Sequence, residues 1–314
     1  MPILERIRGQ RALEDVWHQH LQEIACPQWS GHRTKVTAMS TVLITGASRG
    51  IGYAIATRLA TNGWDVIAGV RSEKDATRLK AANPRFTPVI LDITNAEHIA
   101  ALDNSLPQRL DAVVNNAGVV VGGAMEAVTL GELRRQFDIN VVGQIAVTQA
   151  VLPRLRSSQG RIVFISSASG RVATPLIGAY CASKFALEAA ADALRMELRP
   201  WDIPVVVVEP AQTDTDMWRT ADTQAEAMAA SMSPEMRGLY DRHIQGYKKA
   251  VSKSQKIAVP PEKVAAVVDK ALTTRRPHAR YLVGVGPKLQ IAVVTRLPTG
   301  VRDRLLNAIS GQPL

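Results

Sequence analysis

From residue 41 onward, short uninterrupted apolar runs alternate with stretches whose apolar positions recur every three or four residues. TVLIT (41–45), WDVIAGV (64–70), RFTPVILD (85–92), DAVVNN (111–116), RIVFIS (161–166) and IPVVVVEP (203–210) read as six strands. A seventh, RYLVG (280–284), follows a helical pattern at 261–274 that Pro260 and Pro261 would start. Helical patterns separate the strands at 51–63, 73–82, 95–105, 132–157 and 179–199. Strands of continuous Val and Ile, without polar alternation, belong to a parallel sheet covered on both faces. Strand–helix alternation at this spacing fits right-handed β-α-β crossovers. The expected fold is a doubly wound α/β sheet of about seven strands in one Rossmann-type domain, residues 39–314.

Two segments fall outside that alternation. Residues 211–250 carry helical patterns such as AEAMAASM but no strand. An insertion after the sixth strand lies over the carboxyl edge of the sheet, where such folds bind ligands, so it reads as a substrate lid. Residues 1–38 have weak periodicity and no glycine motif, while MSTVLITGASRGIG would make a complete start at Met39. They read as an extension from an upstream start codon, disordered in the protein; a surface helix is the alternative.

Composition narrows the class. The 314 residues are 46% apolar and 21% charged, an ordinary soluble balance, and only 4% aromatic, so the core rests on Ala, Val, Leu and Ile. Two distant cysteines, Cys26 and Cys181, have no metal-ligand spacing and fit a reducing compartment, the cytoplasm. No metal is expected, and neither a membrane-spanning run nor a secretory signal is present. The net charge of +10 comes from Lys248–Arg304, with thirteen Lys and Arg against Glu262, Asp269 and Asp303. The near absence of aromatics there argues against a nucleic-acid partner. KLQIAVVTRLPTGVRDRLLNAI has an apolar face edged by basic residues. It could lie weakly on anionic lipid as a peripheral contact; a helix covering the domain's own core explains it equally well.

The first strand runs into TGASRGIG (45–52), with Gly46, Gly50 and Gly52 in a turn that opens a helix. Glycine permits positive φ and close backbone approach, and the helix start offers free N–H groups to a diphosphate. Gly46, Ser48, Arg49, Gly50, Ile51 and Gly52 are therefore expected to hold a dinucleotide. An NAD site usually has an acid at the end of the second strand; here Arg71 and Ser72 follow Val70. Arg71, joined by Arg49, suits a 2′-phosphate, so NADP(H) is expected rather than NAD(H). Asp92 would accept from the adenine amino group with Ile93 against the ring, and Gly118 would let the chain pass beside the cofactor.

Tyr180 and Lys184 are four apart at a helix start and share a face. An ammonium there would lower the phenol's pKa and let Tyr180 exchange a proton with a substrate oxygen. Ser167, at the end of the fifth strand, would orient the same oxygen. The amide of Asn140 would hold a water beside Lys184; a satisfied buried amide is the plain alternative. Gly170, Arg171 and Val172 join the lid in lining the substrate pocket.

TGASRGIG, NNAG (115–118), Asn140 in FDIN, Ser167 in ISSASG and YCASK (180–184) together resemble the short-chain dehydrogenase/reductase family over residues 41 to about 284. The resemblance implies a catalytic tetrad of Asn140, Ser167, Tyr180 and Lys184, with Tyr180 as general acid/base and Lys184 also on the nicotinamide ribose. It implies that Asn115 and Gly118 lie beside the cofactor. Family members often have Pro-Gly after the sixth strand; here Pro210 precedes Ala211, and Thr213 or Thr215 would meet the carboxamide or pyrophosphate. YCASKFALE (180–188) and the C-terminal segments resemble the 17β-hydroxysteroid and retinol dehydrogenase branch. The implied activity is oxidoreduction of CH–OH groups with NAD(P), on a lipophilic alcohol or carbonyl, by a homodimer or homotetramer. A regulatory protein that has lost catalysis would lack part of the tetrad. A nucleotide-sugar epimerase or dehydratase would more commonly show GxxGxxG than the G-x-x-x-G-x-G found here.

Overall fold

The structure, a computed structural model, describes residues 40–215, 226, 229–230, 232–284 and 293–312. The expectations for residues 1–38, for half of AEAMAASM and for the first part of KLQIAVVTRLP lie outside those residues.

Each strand read from the apolar runs is present: β1 (Thr41–Thr45), β2 (Asp65–Val70), β3 (Phe86–Ile90), β4 (Ala112–Asn115), β5 (Arg161–Ile165), β6 (Val205–Pro210) and β7 (Arg280–Val283). They form one parallel seven-stranded sheet in the order β3-β2-β1-β4-β5-β6-β7. The order reverses between β1 and β4, which opens a crevice at their carboxyl ends. Pro88 sits in β3, at the sheet edge, where a missing N–H is tolerated.

The helices are α1 (Gly50–Thr61), α2 (Glu73–Ala82), α3 (Ala96–Ser105), α4 (Leu130–Phe137), α5 (Gly143–Ser158), α6 (Gly178–Glu197), α7 (Pro234–Gln255), α8 (Pro261–Thr273) and α9 (Thr299–Ile309). Side-chain caps start several of them: Ser72 accepts from the Asp75 N–H, Asn95 from those of Glu97 and His98, and Thr129 from that of Glu132. Alternate strand residues feed two separate cores. Val42, Ile44, Val66 and Ala68 pack with Ile55 and Leu59 of α1 and Val264 and Val268 of α8. Leu43, Ile67, Val113 and Phe164 pack on the other face with Leu102, Val147, Val151 and Leu187. That double burial explains why the strands lack polar alternation.

The single helix expected over 132–157 is three pieces. Between α4 and α5 the backbone opens into a π-helical turn, Asp138–Val142, with Asn140 inside it. Such turns relax the ladder by one residue and occur at functional sites. Gly143 then passes so close to the next chain that a Cβ there would meet the Ile93 carbonyl oxygen at 2.5 Å.

Candidate active site

The glycine turn after β1 is built by backbone rather than by side chains. Gly46 has φ +65° and Gly50 φ +55°, both in the left-handed region. A Cβ on Gly52 would lie 2.2 Å from the Gly46 carbonyl oxygen, so only glycine lets α1 start this near β1. Asn116 closes the turn from β4: its Nδ2 donates to the carbonyls of Thr45 (3.0 Å) and Gly46 (3.1 Å). The Thr45 hydroxyl accepts from the N–H groups of Asn116 and Ala117. No side chain caps the start of α1 and no acid stands in its first turn. Its leading N–H groups face the crevice with the positive end of the helix dipole behind them.

That crevice is a cavity of about 1060 Å³ running along the carboxyl edge of the sheet. One end holds Arg49, Arg71, Ser72, Asp75 and Arg78; Asp92 and Ile93 stand beside it. Arg78 donates to the Ser48 carbonyl and pairs with Asp75 at 3.1 Å. The Arg78 and Ser72 hydrogen bonds hold the Asp75 carboxyl below its usual range. Burial works against ionisation of Asp92, but bonds from the Thr94 N–H and hydroxyl and the Arg71 charge outweigh it and lower its pKa. Across the turn, Pro210, Thr213 and Thr215 close the cavity, and the Thr215 side chain lies 3.5 Å from where a Gly50 Cβ would be.

The other end brings Ser167, Tyr180 and Lys184 together. Ser167, two residues past β5, caps the short turn Ala168–Gly170 by accepting from the Ser169 N–H, and its hydroxyl stands beside the Tyr180 phenol. Leu176, at φ +64°, turns the chain into α6; its carbonyl is held by the Gly123 N–H at 2.7 Å. Lys184 Nζ lies 5.8 Å from the Tyr180 ring centroid and donates to the Ile165 carbonyl at 2.8 Å. Tyr180 and Lys184 are both buried. Burial pushes the phenol up to about 12, against the pull of the Ser167 hydrogen bond. Burial brings Lys184 down to about 8, opposed by the Glu188 charge. The expected lowering of the Tyr180 pKa by the ammonium is thus not found: desolvation of so buried a phenol dominates.

Asn140 is fully buried, but its amide is committed to protein groups. Oδ1 accepts from the Val119 N–H, while Nδ2 donates to the Val119 carbonyl and to Ser183 Oγ. Ser183 Oγ in turn donates to the Tyr180 carbonyl. The amide therefore ties the loop after β4 to α6, and its donors are not free for the expected water beside Lys184. Asn115 also departs from expectation. Its side chain points away from the crevice, with Nδ2 donating to Thr148 Oγ1 of α5; the cavity wall is Asn116. Neighbouring strand residues point to opposite faces, and the NN pair gives no sign of which. Gly118 stands where expected, and a Cβ there would crowd Asn140 Oδ1 at 3.3 Å.

The expected pocket residues Gly170, Arg171 and Val172 do not line the cavity; Ala168, Ser169, Thr174, Pro175 and Ile177 do. Arg171 instead joins a buried charge cluster, 3.1 Å from Glu209 of β6. Arg280, opening β7, reaches Glu188 of α6 at 3.0 Å, Asp192 at 2.6 Å and Glu209 at 3.5 Å. Sequence reasoning missed this cluster, whose members are far apart in the chain. It also missed Arg78, although Ser72 as helix cap puts Asp75 and Arg78 one turn apart beside the glycine turn.

Uncapped helix N–H groups, close-approach glycines and a basic far end fit a nicotinamide dinucleotide, and the cavity lies at the upper end of ligand-site volumes. Fold and site thus define a nicotinamide-dependent oxidoreductase. The short chain dehydrogenase family model matches residues 40–226, and the chain belongs to that family. It is 32% identical over 282 residues to retinol dehydrogenase 7 of Mus musculus, covering 87% of this chain and 89% of that protein. It is 32% identical over 285 residues to an NADPH-dependent 3-dehydrocapnine reductase of Ornithobacterium rhinotracheale, covering 86% and 96%. Among solved structures it resembles a short-chain dehydrogenase from Streptomyces avermitilis, with TM-score 0.69, 30% identity, and 85% and 96% of the two chains covered. A short chain dehydrogenase from Burkholderia cenocepacia J2315 in complex with NADP gives TM-score 0.67 at 25% identity, covering 85% and 98%. The protein is accordingly an NAD(P)-dependent enzyme acting on CH–OH groups. Among the described residues no helix is long and apolar enough to cross a membrane.

Proposed function

We propose that the protein interconverts a secondary alcohol and a ketone, or a primary alcohol and an aldehyde, on a lipophilic small molecule, with NADP(H) preferred over NAD(H). The observation that carries the chemistry is the gathering of Ser167, Tyr180 and the buried Lys184 at one end of a dinucleotide-sized cavity. When bound, the nicotinamide supplies or accepts the hydride. In reduction, the Tyr180 hydroxyl gives its proton to the carbonyl oxygen, and a phenol held well above neutral pH keeps that proton until the oxygen demands it. The Ser167 hydroxyl donates to the same oxygen and offsets its developing charge. Lys184, anchored on the Ile165 carbonyl and close to the Tyr180 ring, lines the cavity, and its remaining N–H donors would hold the nicotinamide ribose. Asn140 holds the loop after β4 against α6 and so keeps Tyr180 in register.

The arginine end supports the phosphate-bearing cofactor. Arg49, Arg71 and Arg78 line one end of the cavity, and of the two acids there Asp75 is occupied by Arg78 and Ser72 and Asp92 by Thr94. A lipophilic substrate is supported by retinol dehydrogenase 7 among the relatives and by Val119, Ile177, Tyr247, Val251 and Ile309 on the cavity wall. The segment 211–250 acts as lid; among its described residues Gln212, Thr213, Thr215, Tyr247 and Ala250 face the cavity, with Val251 and Ser254 beyond them in α7. The buried free thiol of Cys181 suits the cytoplasm, and family likeness favours a homodimer or homotetramer, measurable by light scattering.

The test is oxidation of NADPH and NADH against a panel of lipophilic aldehydes and ketones, with Tyr180→Phe as control. Turnover with NADPH that falls by about 10²–10⁴ in Tyr180→Phe is expected. Wild-type turnover by that variant on the same ketone overturns the role of Tyr180; a strong NADH preference overturns the reading of the arginines.

A further inference from the structure

The apolar face of the C-terminal helix is turned the wrong way for a helix that covers a core. Arg302, Leu306, Asn307 and Ser310 are the half-buried residues of α9, and none is fully buried. Val301 and Leu305, four apart and so on one stripe, are 52% and 38% exposed. The helix thus gives a largely polar side to the protein and its apolar stripe to the outside. A helix explained only by its own domain's core would do the opposite.

Helix α7, which the C-terminal end of α9 meets, carries a basic surface. Gly246 of α7 and Gly311, just past α9, meet backbone to backbone: a Cβ on Gly246 would lie 1.8 Å from the Gly311 carbonyl oxygen. Gln312 adds a bond to the His243 carbonyl. This seam fixes α9 against α7. Lys253 lies seven residues from Gly246, nearly two whole turns, so it shares the seam side of α7. Arg242, Lys249, Lys253 and Lys256 are all exposed, and Ile257 beyond them is 83% exposed. Lys248, Lys249, Lys253 and Lys256 line a shallow groove of about 480 Å³ whose only described acid is Glu226. The inner sides of the same two helices, through Tyr247, Val251, Ile309 and Ser310, are walls of the active-site cavity.

We propose that α9 and the basic side of α7 dock the protein on an anionic bilayer surface, with Val301 and Leu305 at the acyl boundary and the α7 lysines on the headgroups. A second copy is the poorer occupant, because self-association would bring two lysine-rich faces together. Apolar area combined with several surface cations is what interfacial binding requires. The cavity mouth would then open at the surface where a lipophilic substrate is dissolved. The docking face does not depend on the substrate reading, since vesicle binding is measured without turnover.

The test is co-sedimentation of the full chain with vesicles of phosphatidylcholine alone or with roughly a third phosphatidylglycerol, at about 50 mM and about 500 mM salt. The wild type should partition at least about tenfold more strongly to the anionic vesicles, and high salt should weaken this several-fold. Val301→Asp/Leu305→Asp and Lys253→Glu/Lys256→Glu should each reduce binding by about tenfold or more, while turnover of a water-soluble carbonyl stays unchanged. Both pairs are on the surface, and circular dichroism establishes that they fold. Equal binding to neutral and anionic vesicles, no binding at low salt, or wild-type binding by both variants overturns the proposal. So does a dimer that Val301→Asp/Leu305→Asp splits, which would assign the stripe to a second copy.

Discussion

Arg280→Met tests the charge cluster behind Lys184. The stem stays, and the guanidinium shared by Glu188 at 3.0 Å, Asp192 at 2.6 Å and Glu209 at 3.5 Å is lost. Glu188 and Glu209 have side chains only 8% and 4% exposed. Burial already raises the Glu209 pKa, the Glu188 charge raises it further, and Arg171 and Arg280 pull it back. Without Arg280 two buried carboxylates face each other with Arg171 alone to offset them. Removing one partner of a buried pair costs about 3–5 kcal/mol. For a chain of 314 residues that is a fall in Tm of roughly 5–8 °C. Asp192 adds little, being more than a third exposed.

The pH dependence gives the sharper readout. A carboxyl whose folded pKa lies above its unfolded value binds its proton more tightly when folded. Its favourable contribution is full below the unfolded pKa, near 4.5 for Glu209, and is lost as pH rises through the folded pKa. The deficit of Arg280→Met against wild type should therefore be smaller at about pH 5 than at about pH 8, measured by thermal melts at one protein concentration. Adding Glu188→Gln removes one of the two charges and should recover part of the loss. A deficit below about 1 kcal/mol, one equal at both pH values, or no recovery in the double variant would refute the reasoning.

Three further outcomes are expected. Gly52→Ala should weaken NADPH binding by at least about tenfold in a fluorescence titration, because the new Cβ at 2.2 Å from the Gly46 carbonyl forces the turn apart. Arg78→Ala should raise KM for NADPH several-fold, by about 1 kcal/mol or more, and leave KM for NADH nearly unchanged. Lys184, brought down to about 8 by burial, releases its proton sooner when folded than when unfolded, so it makes stability rise with pH from about 8 to about 10.5. Melts of Lys184→Met over that range should lack the rise; an unchanged slope would show that another group titrates there.

The strands were legible because a sheet buried on both faces leaves no polar residue to confuse the pattern, as in VVVV of β6. The glycine turn and the Tyr180–Lys184 pair were legible because their chemistry depends on neighbours in sequence. What was not legible depends on the third dimension. Arg280 meets Glu188 from 92 positions away, and no local spacing announces it. Asn115 and Asn116 are chemically identical, and only the pleat of β4 decides that the first goes to Thr148 and the second to the glycine turn. For α9, periodicity revealed an apolar stripe but not which way it would face.

The π-helical turn at Asp138–Val142 has a consequence for how this site can vary. It holds one residue more than a regular helical turn would. Deleting any single residue there would close the wide turn and let α4 and α5 fuse into one continuous helix whose two ends keep their facing, while the residues inside the turn are re-aimed. Asn140 would leave Val119 and Ser183 although every side chain of the site was still encoded. Part of the active site is thus specified by chain length, and a comparison that counts matching residue types but tolerates a gap at this point would pass over its loss.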